Sequence, residues 1–216
     1  MPDLKLEASS RNGSSSANKR IVVGITGASG AIYALHTLRA LLANGIEVHL
    51  VISDYGAYVI ETETNFPLKS GNVLDSFREK YGEEVLNGAI VRHSNKDLAS
   101  SISSGSFKTE GMVVVPCSMK TLAGVAQGVA GHLIERAADV TLKEGRKLVL
   151  VPRETPLNRI HLKNMLAASD AGAHILPAMP AFYQGPKTIE DLADFVAGRI
   201  LALFDIEAEL FEPWQK

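Results

Sequence analysis

An arginine and a glutamate stand side by side between two prolines, directly after an apolar run of the sequence. Pro152, Arg153, Glu154 and Pro156 follow the run at residues 148–151. The prolines restrict the backbone and so favour one orientation of the charged pair. An arginine can hold a phosphate through two parallel hydrogen bonds, and a carboxylic acid can supply a proton when such a group leaves. The pair predicts a site for phosphate chemistry, although an ordinary surface ion pair explains it equally well.

More cations lie near this run in the sequence, and together with Arg153 they could form one basic cluster: Arg136, Lys143, Arg146 and Arg159. The formal net charge is only -2 and the sequence pI is near 6.3. Overall charge therefore attracts neither nucleic acid nor an anionic membrane surface, and we expect neither as a partner. An anionic ligand would have to be held by a local cluster.

A glycine-rich turn is a second candidate for ligand binding. Gly27, Ala28, Ser29 and Gly30 follow the apolar run at residues 21–25. Small residues let the backbone approach a ligand, and the helix that follows would present free N–H groups to an electron-rich partner. Close packing of strand against helix explains such a turn as often.

Hydroxyl groups also follow two other apolar runs. Ser53 comes after residues 48–52, and Ser118, Met119, Lys120 and Thr121 come after residues 112–115. Hydroxyls at these positions could donate to a phosphate, and helix capping explains Ser53 and Ser118 just as well.

The other titratable residues give weaker signals. Glu63 lies in the helix predicted after Ser53, where a glutamate is usually a solvated surface charge. Cys117 is the single cysteine, which excludes an intramolecular disulfide, fits a reducing cytosol and is typical of a small buried residue. His161 and His174 are interpreted as structural residues. The histidines show no metal-ligand spacing, so we expect no metal site.

Short apolar runs alternate with helical patterns, and these elements must position the candidate residues. The predicted strands are residues 21–25, 48–52, 112–115, 148–151 and 174–176, and helical stripes follow the first of them and begin again at Thr188. Such runs are typical of parallel strands covered on both faces. We predict an α/β fold, a single doubly wound Rossmann-like domain with a mostly parallel sheet. Ligands of such sheets bind beyond the carboxyl ends of the strands.

The two ends of the chain differ in character. Residues 1–18 are rich in Ser, with Asn and Gly, and predict a disordered tail before a domain at residues 19–216. No apolar run approaches the roughly 20 residues that span a bilayer, so we expect a cytoplasmic protein. Residues 65–111 are the hardest to interpret. They predict a helix around residues 73–81 and a polar loop at residues 99–106 near a site.

Several segments, taken in order, resemble the UbiX/PAD family of flavin prenyltransferases. They are GITGASGA at residues 24–31, ETET at 61–64, SSGSF at 103–107, PCSMKTL at 116–122, ERAADV at 135–140, LKE at 142–144, LVPRETPL at 150–157 and PAFY at 180–183. The match covers essentially everything after Lys19, and the run at residues 150–157 is especially specific.

The resemblance implies a flavoprotein-type Rossmann-like fold and a role for each matching residue. The residues implied in FMN binding are Gly27, Ala28, Ser29, Ser53, Ser118, Met119, Lys120, Thr121 and Arg153. Those implied in binding the prenyl phosphate are Tyr183, Arg199, Lys143 and Arg153. The implied acid–base carboxylates are Glu63 and Glu154, with Ser29 as a proton relay and with Lys143 and Arg136 as further positive charges.

The reaction implied by the resemblance joins a dimethylallyl group from dimethylallyl phosphate to reduced FMN. The group bonds first to N5 and then to C6 of the flavin, which gives prenylated FMN, the cofactor of UbiD-type decarboxylases. No metal is required. Family members assemble as homo-oligomers, commonly dodecamers, with the flavin at a subunit interface.

Two departures from the family pattern bear on the prenyl donor. Leu98 stands where some members carry a tryptophan, and Gly145 stands where others have the first of two arginines. A pyrophosphate donor therefore stays open.

Two other functions are weighed against this one. An FMN-dependent cysteine decarboxylase of the phosphopantothenoylcysteine decarboxylase type would have a histidine near the position of Glu63. It would also have a Pro-Ala-Ser-Ala-Asn-Thr run at residues 116–121. A non-catalytic flavin-binding subunit would not need Glu63, Lys143 or Glu154, and all three are present.

Overall fold

A six-stranded parallel sheet forms the centre of the protein. The computed structural model describes residues 19–67, 72–208 and 210–211. The strands are β1 (Arg20–Ile25), β2 (Glu47–Ile52), β3 (Ala89–Ser94), β4 (Gly111–Cys117), β5 (Lys147–Pro152) and β6 (His174–Ile175). They lie in the order β3-β2-β1-β4-β5-β6, and all the strand pairings are parallel. This is the strand order of a doubly wound Rossmann-like sheet, so the predicted fold class is confirmed.

Helices cover both faces of the sheet. They are α1 (Ala31–Ala43), α2 (Asp54–Thr64), α3 (Val73–Tyr81), α4 (Met119–Ala126), α5 (Leu133–Lys143), α6 (Arg159–Asp170) and α7 (Ile189–Leu203). The apolar sides of α1, α3 and α7 fill the core on one face, and those of α4 and α5 fill the core on the other. In the described ranges, no helix is both long and apolar enough to cross a membrane.

Strand β3 is the element that the sequence did not predict. It is an edge strand that pairs with β2 alone, and its side chains are partly or largely exposed. Its residues, AIVRHS, mix apolar and polar types because solvent reaches them, so no continuous apolar run marks it. The helix predicted at residues 73–81 is confirmed as α3, and the predicted loop at residues 99–106 contains one 3-10 turn, Ser101–Ser103. The tail predicted at residues 1–18 lies outside the described residues.

The ends of the strands form two opposite sides of the sheet that matter for function, called here the carboxyl edge and the amino edge. At the carboxyl edge the strands end, and the chain continues into the turn after β1, the starts of α2 and α4, and Arg153. At the amino edge the strands begin, and there α5 ends just before β5. A strand of six residues such as β5 is about 17 Å long, so residues at the two edges are far apart in one chain.

Candidate active site

The turn after β1 is closed by a carboxylate from the end of α2. Glu63 Oε2 accepts hydrogen bonds from the backbone N–H groups of Gly30 at 2.9 Å and Ala31 at 2.8 Å. Gly30 has a φ of 105°, a left-handed conformation that favours glycine. The sequence predicted that these N–H groups would be free for a ligand. In the structure Glu63 takes them, as expected for a carboxylate beside a helix N-terminus.

The surroundings of Glu63 keep its carboxylate ionised. Burial raises the pKa of this group, but hydrogen bonds from the Ser29 side chain and from the Ala31 and Gly30 N–H groups lower it, and so does the charge of Arg153. The net result is a pKa below the ordinary value. At neutral pH Glu63 is therefore a hydrogen-bond acceptor and a base, with the Ser29 hydroxyl directed at it.

Arg153 lies over the same turn. Its Nε donates a hydrogen bond of 2.9 Å to the Ser29 carbonyl oxygen, which places the guanidinium close to Glu63. Glu154 is exposed, and its Oε1 accepts the backbone N–H of Thr155 at 3.0 Å. No ion pair joins Arg153 to Glu154 among the described residues, so the simple surface pair allowed by the sequence is not formed.

Buried hydrogen bonds connect the end of β1 to the end of β4. The Thr26 hydroxyl donates to the Pro116 carbonyl oxygen at 2.8 Å and accepts from the Ser118 N–H at 2.8 Å. Thr26 is buried, so losing this hydroxyl would leave the Ser118 N–H without its partner, whereas the Pro116 carbonyl oxygen would keep the Thr26 N–H at 3.3 Å. This bridge fixes the glycine-rich turn relative to the start of α4.

The predicted hydroxyls at the helix starts act as caps. Ser53 Oγ accepts the Gly56 N–H at 3.0 Å, and Ser118 Oγ accepts the Thr121 N–H at 3.3 Å. The capping interpretation is therefore confirmed for both serines, and a capping hydroxyl keeps a lone pair or a proton for a second partner. Gly27 faces the start of α2 so closely that a Cβ there would come within 2.5 Å of Tyr55 Cβ.

A polar cavity of ≈ 590 Å³ opens at the carboxyl edge, beside the ends of β2 and β3. Its lining includes Arg92, Lys96 and Lys120, and also Asp54, whose Oδ2 lies 3.5 Å from Lys96 Nζ. Of these three cations, the sequence had indicated only Lys120 as a candidate binding residue. The basic residues at positions 92–96 were missed because β3 was not predicted, although three basic side chains in that short run were a visible signal.

The basic residues around β5 do not form the single cluster that the sequence suggested. Arg153 is at the carboxyl edge, whereas Lys143 is at the amino edge, where its Nζ lies 2.8 Å from Glu144 Oε1. Arg146 is also at the amino edge and donates to the carbonyl oxygens of Gly105 at 2.6 Å and Phe107 at 2.7 Å. These basic residues are close in sequence but lie at opposite ends of β5, so their sequence spacing did not indicate how far apart they are in the structure.

Arg136 lies on α5, between the two edges. Its guanidinium forms an ion pair with Asp139 one turn further along the helix, with Nη1 2.8 Å from Oδ2. Its ion-pair partner is therefore on its own helix, and the structure does not bring it together with Glu63.

Two of the residues implied in prenyl phosphate binding, Tyr183 and Arg199, lie near the side chain of Phe195. The Tyr183 ring packs edge-on against Phe195, with centroids 6.1 Å apart. Phe195 and Arg199, one turn apart on α7, line a cavity of ≈ 520 Å³ together with Met179. The structure thus brings Tyr183 and Arg199 to the same region, beside β6.

Metal ligands and the cysteine were also expected to play no part. In the part of the chain that the structure describes, no three His, Cys, Asp or Glu side chains are grouped to hold a metal ion. Cys117 is fully buried at the end of β4, and burial raises the pKa of its thiol to about 12. The interpretation of Cys117 as a buried apolar residue is confirmed.

Comparison with known proteins agrees with the sequence and the fold. The family model described as Flavoprotein matches residues 9–201. The flavin prenyltransferase UbiX of Halalkalibacterium halodurans is 48% identical over 192 residues, which are 89% of this chain and 91% of the relative.

Solved structures give the same result. A crystal structure of AnUbiX in complex with FMN and dimethylallyl pyrophosphate is 46% identical, with a TM-score of 0.83 over 92% of this chain and 98% of that one. A dodecameric FMN-dependent UbiX-like decarboxylase from Escherichia coli O157:H7 is also 46% identical, with a TM-score of 0.81 over 91% of this chain and 100% of that one. The peptidyl-cysteine decarboxylase EpiD is only 16% identical, with a TM-score of 0.54, and shares the fold alone.

Proposed function

Because the chain belongs to the flavin prenyltransferases of the UbiX type, we propose that it joins a dimethylallyl group from dimethylallyl phosphate to N5 and C6 of reduced FMN. The observation that carries the proposal is the likeness, across nearly the whole chain, to AnUbiX, which holds FMN and dimethylallyl pyrophosphate. The cysteine decarboxylase alternative has only a likeness of fold to support it.

We assign FMN to the carboxyl edge. The residues proposed to hold it are Gly27, Ala28, Ser29, Ser53, Ser118, Met119, Lys120, Thr121 and Arg153. In support, these residues come from the ends of β1, β2, β4 and β5, and the Thr26 bridge and the Arg153 hydrogen bond to the Ser29 carbonyl fix their arrangement. Bound reduced FMN would supply the nucleophilic nitrogen N5, the carbon C6 and an electron-rich ring face.

Ser29 and Glu63 are proposed to move a proton. The Ser29 hydroxyl donates to the ionised Glu63, so it can accept a proton from a ligand atom while passing its own to the carboxylate. Arg153 stabilises the charged form of Glu63 and so keeps the base ready.

The phosphate of the donor is proposed to contact Tyr183, Arg199, Lys143 and Arg153, with positive charge from Arg136 and a proton from Glu154. Glu154 is exposed beside Arg153, where a ligand could reach it. Lys143 lies at the amino edge, so we propose that it serves the ligand of a neighbouring copy in a homo-oligomer. A dodecamer is the expected assembly, as in the E. coli relative.

The biological setting is proposed from the product. Prenylated FMN would be passed to a UbiD-type decarboxylase, and both proteins would be cytoplasmic. Residues 19–216 are proposed to form one catalytic domain, in keeping with one sheet that binds all its helices.

The deciding experiment is anaerobic incubation of the protein with reduced FMN and dimethylallyl phosphate, followed by mass spectrometry of the released flavin. We expect a flavin that has gained one five-carbon dimethylallyl-derived unit. Oxidised FMN and omission of the donor are the controls, and a parallel reaction with dimethylallyl pyrophosphate identifies the preferred donor. Unmodified flavin with both donors would refute the proposed function.

A further inference from the structure

Two stacked histidines, one buried and one partly exposed at the carboxyl-edge cavity, have no part in the proposed chemistry. His49 on β2 is 3% exposed, and its ring stacks on that of His93 on β3 with centroids 5.1 Å apart. His49 Nδ1 and His93 Nε2 are 2.9 Å apart, at hydrogen-bond distance. Phe107 packs edge-on against His49 with centroids 4.8 Å apart. A buried polar ring such as that of His49 is costly unless its nitrogens have partners, so the partners indicate what this histidine pair does.

The partners of the histidine pair form one directed chain of hydrogen bonds. Glu47 Oε1 lies 2.9 Å from His49 Nε2 and 2.9 Å from Arg20 Nε. Burial raises the pKa of Glu47, but the His49 hydrogen bond and Arg20 outweigh this and leave the pKa below its ordinary value. Glu47 is then an acceptor, so His49 carries its proton on Nε2 and accepts at Nδ1 from His93.

The far end of the chain reaches the segment that crosses the sheet from β3 to β4. With His93 donating through Nε2, its Nδ1 is the acceptor for the Ser100 hydroxyl at 2.7 Å. We call residues 95–110 the crossover segment. Every ring nitrogen of the histidine pair has a partner when both imidazoles are neutral.

The crossover segment in turn contacts both ends of α5. The Asn95 carbonyl oxygen accepts the Leu133 N–H at 2.9 Å at the start of this helix. At the other end, Gly105 lies so close to Lys143 that a Cβ on the glycine would come within 3.0 Å of Lys143 Nζ. The segment is therefore packed against the cation that the proposed function assigns to the donor phosphate.

We propose that His49, His93 and Ser100 are positioning residues that hold the crossover segment, and through it Lys143, and that they release it when both imidazoles are protonated. One added proton is accommodated, because the Ser100 hydroxyl can turn from donor to acceptor. A second proton would direct two N–H groups and two positive charges at each other across 2.9 Å. The bond between the rings would then be lost.

The charges around the histidine pair decide the pH at which this happens. Burial and the neighbouring His49 lower the pKa of His93, while Asp97 raises it. The other charged or titratable groups around the pair are Glu47 with its partner Arg20, and Lys96, Lys120 and His132, which line the cavity with His93. A lowered histidine pKa means that the folded state prefers the neutral ring. The hold is therefore complete at neutral pH. Because one added proton is accommodated, it is lost only as pH falls well below the ordinary histidine pKa of about 6.5.

Hydrogen–deuterium exchange of the full chain without ligands tests the hold directly. We expect residues 100–107 of the wild type to lose protection about tenfold between about pH 7.5 and about pH 5, after correction for intrinsic exchange. His93→Gln keeps a donor near Nε2 but cannot be charged, so its protection should not depend on pH in this range. His161→Gln removes a histidine of the α6 cap and should behave as the wild type. A wild type with equal protection at both pH values, or a His93→Gln variant that still loses protection, would overturn the proposal.

Variants of Ser100 provide a second test of the proposal in case His93→Gln does not fold. Ser100→Ala keeps both imidazoles but removes the last hydrogen bond, so the segment should exchange about tenfold faster even at neutral pH. Ser100→Thr retains the hydroxyl and should restore protection. Slow exchange in Ser100→Ala would show that the histidine pair does not hold the segment.

The catalytic consequence rests on the proposed function and has its own readout. The wild-type rate of prenyl transfer should fall as the segment is released, whereas the rate of His93→Gln should stay flat across the range. A wild-type rate that stays constant over the pH range in which residues 100–107 lose protection would overturn the positioning role. If no variant forms prenylated flavin at all, the proposed function is refuted, and the exchange data still decide whether the histidine pair holds the segment.

Discussion

Replacing Glu63 by glutamine tests the centre of the proposed site. The glutamine oxygen can still accept the N–H groups of Gly30 and Ala31, which Glu63 Oε2 accepts at 2.9 and 2.8 Å. The amide nitrogen must then face the Ser29 hydroxyl. Because an amide NH₂ donates and takes no proton, Ser29 loses the base to which it passes its own proton.

The structure predicts two effects of different size for this change. Hydrogen bonds to a charged group contribute about 1.5–3 kcal/mol and neutral ones about 0.5–1.5 kcal/mol, and solvent around the exposed Glu63 reduces the difference. We expect a loss of about 1–2 kcal/mol in stability, or a fall in Tm of roughly 2–8 °C for a chain of this size. The loss of a positioned base should slow prenyl transfer about 10²- to 10⁴-fold. Catalysis should therefore suffer far more than folding.

The pH dependence gives a further check. The pKa of Glu63 is lowered in the folded state, so the carboxylate contributes stability that is present above about pH 4.5. That contribution is lost as pH falls through the lowered pKa. The difference in stability between wild type and Glu63→Gln should accordingly shrink below about pH 4.5. Above that pH the rate deficit should stay constant, because Glu63 is already ionised.

The assay is the anaerobic reaction with reduced FMN and dimethylallyl phosphate, with prenylated flavin counted by mass spectrometry. FMN affinity and Tm are measured on the same samples. Glu79→Gln, on the exposed side of α3, is the matched control and should keep the wild-type rate. A Glu63→Gln enzyme within about threefold of the wild type would be far outside the range for a positioned base and would refute the reasoning.

Three more changes test other parts of the site. Ser29→Ala removes the relay and should impair turnover more than FMN binding, and equal losses in both would assign Ser29 to binding alone. Glu154→Gln should keep FMN bound but slow product formation by about 100-fold, and a wild-type rate would remove Glu154 from the mechanism. Burial raises the pKa of Cys117 to about 12, so thiol reagents should label it at neutral pH only after denaturation. Rapid labelling of the native protein would contradict its buried position.

The central strands could be predicted from the sequence because burial on both faces demands continuous apolar residues. Strands β1, β2, β4 and β5 are of this kind, and their inner residues are buried. Strand β3 could not be found in the same way. It has a neighbour on one side only, and solvent reaches its other side, so its composition follows local surroundings rather than a general pattern.

The candidate site shows the same limit at the level of contacts. Residue types and strand ends were enough to identify Ser29, Arg153 and Ser118 as candidates. The contact between Glu63 and the turn at Gly30 spans 33 residues and depends on the path of α2 along the carboxyl edge. The histidine pair spans 44 residues and needs the register of β3 against β2. Neither contact can be predicted from a pattern in the local sequence, because each joins residues far apart in the chain.

The separation of the two sheet edges has a consequence for assembly. Lys143 ends α5, and an 11-residue helix is about 16 Å long, so this lysine lies far from Glu63 and Arg153 in the same chain. If all three act on one ligand, a second copy must bring its amino edge to the carboxyl edge of the first. Large apolar side chains are exposed where such a contact could form, including Tyr55 at 77% and Ile160 at 67%.

A single chain would then hold the residues proposed for FMN but not the full set proposed for the donor phosphate. Dissociation of the assembly should therefore abolish prenyl transfer before it abolishes FMN binding. Serial dilution tests this, with sedimentation to follow assembly, flavin fluorescence to follow binding and mass spectrometry to follow product. A dissociated chain that still turns over would show that Lys143 is not needed at a neighbour's ligand, and the proposed role of the amino edge would fail.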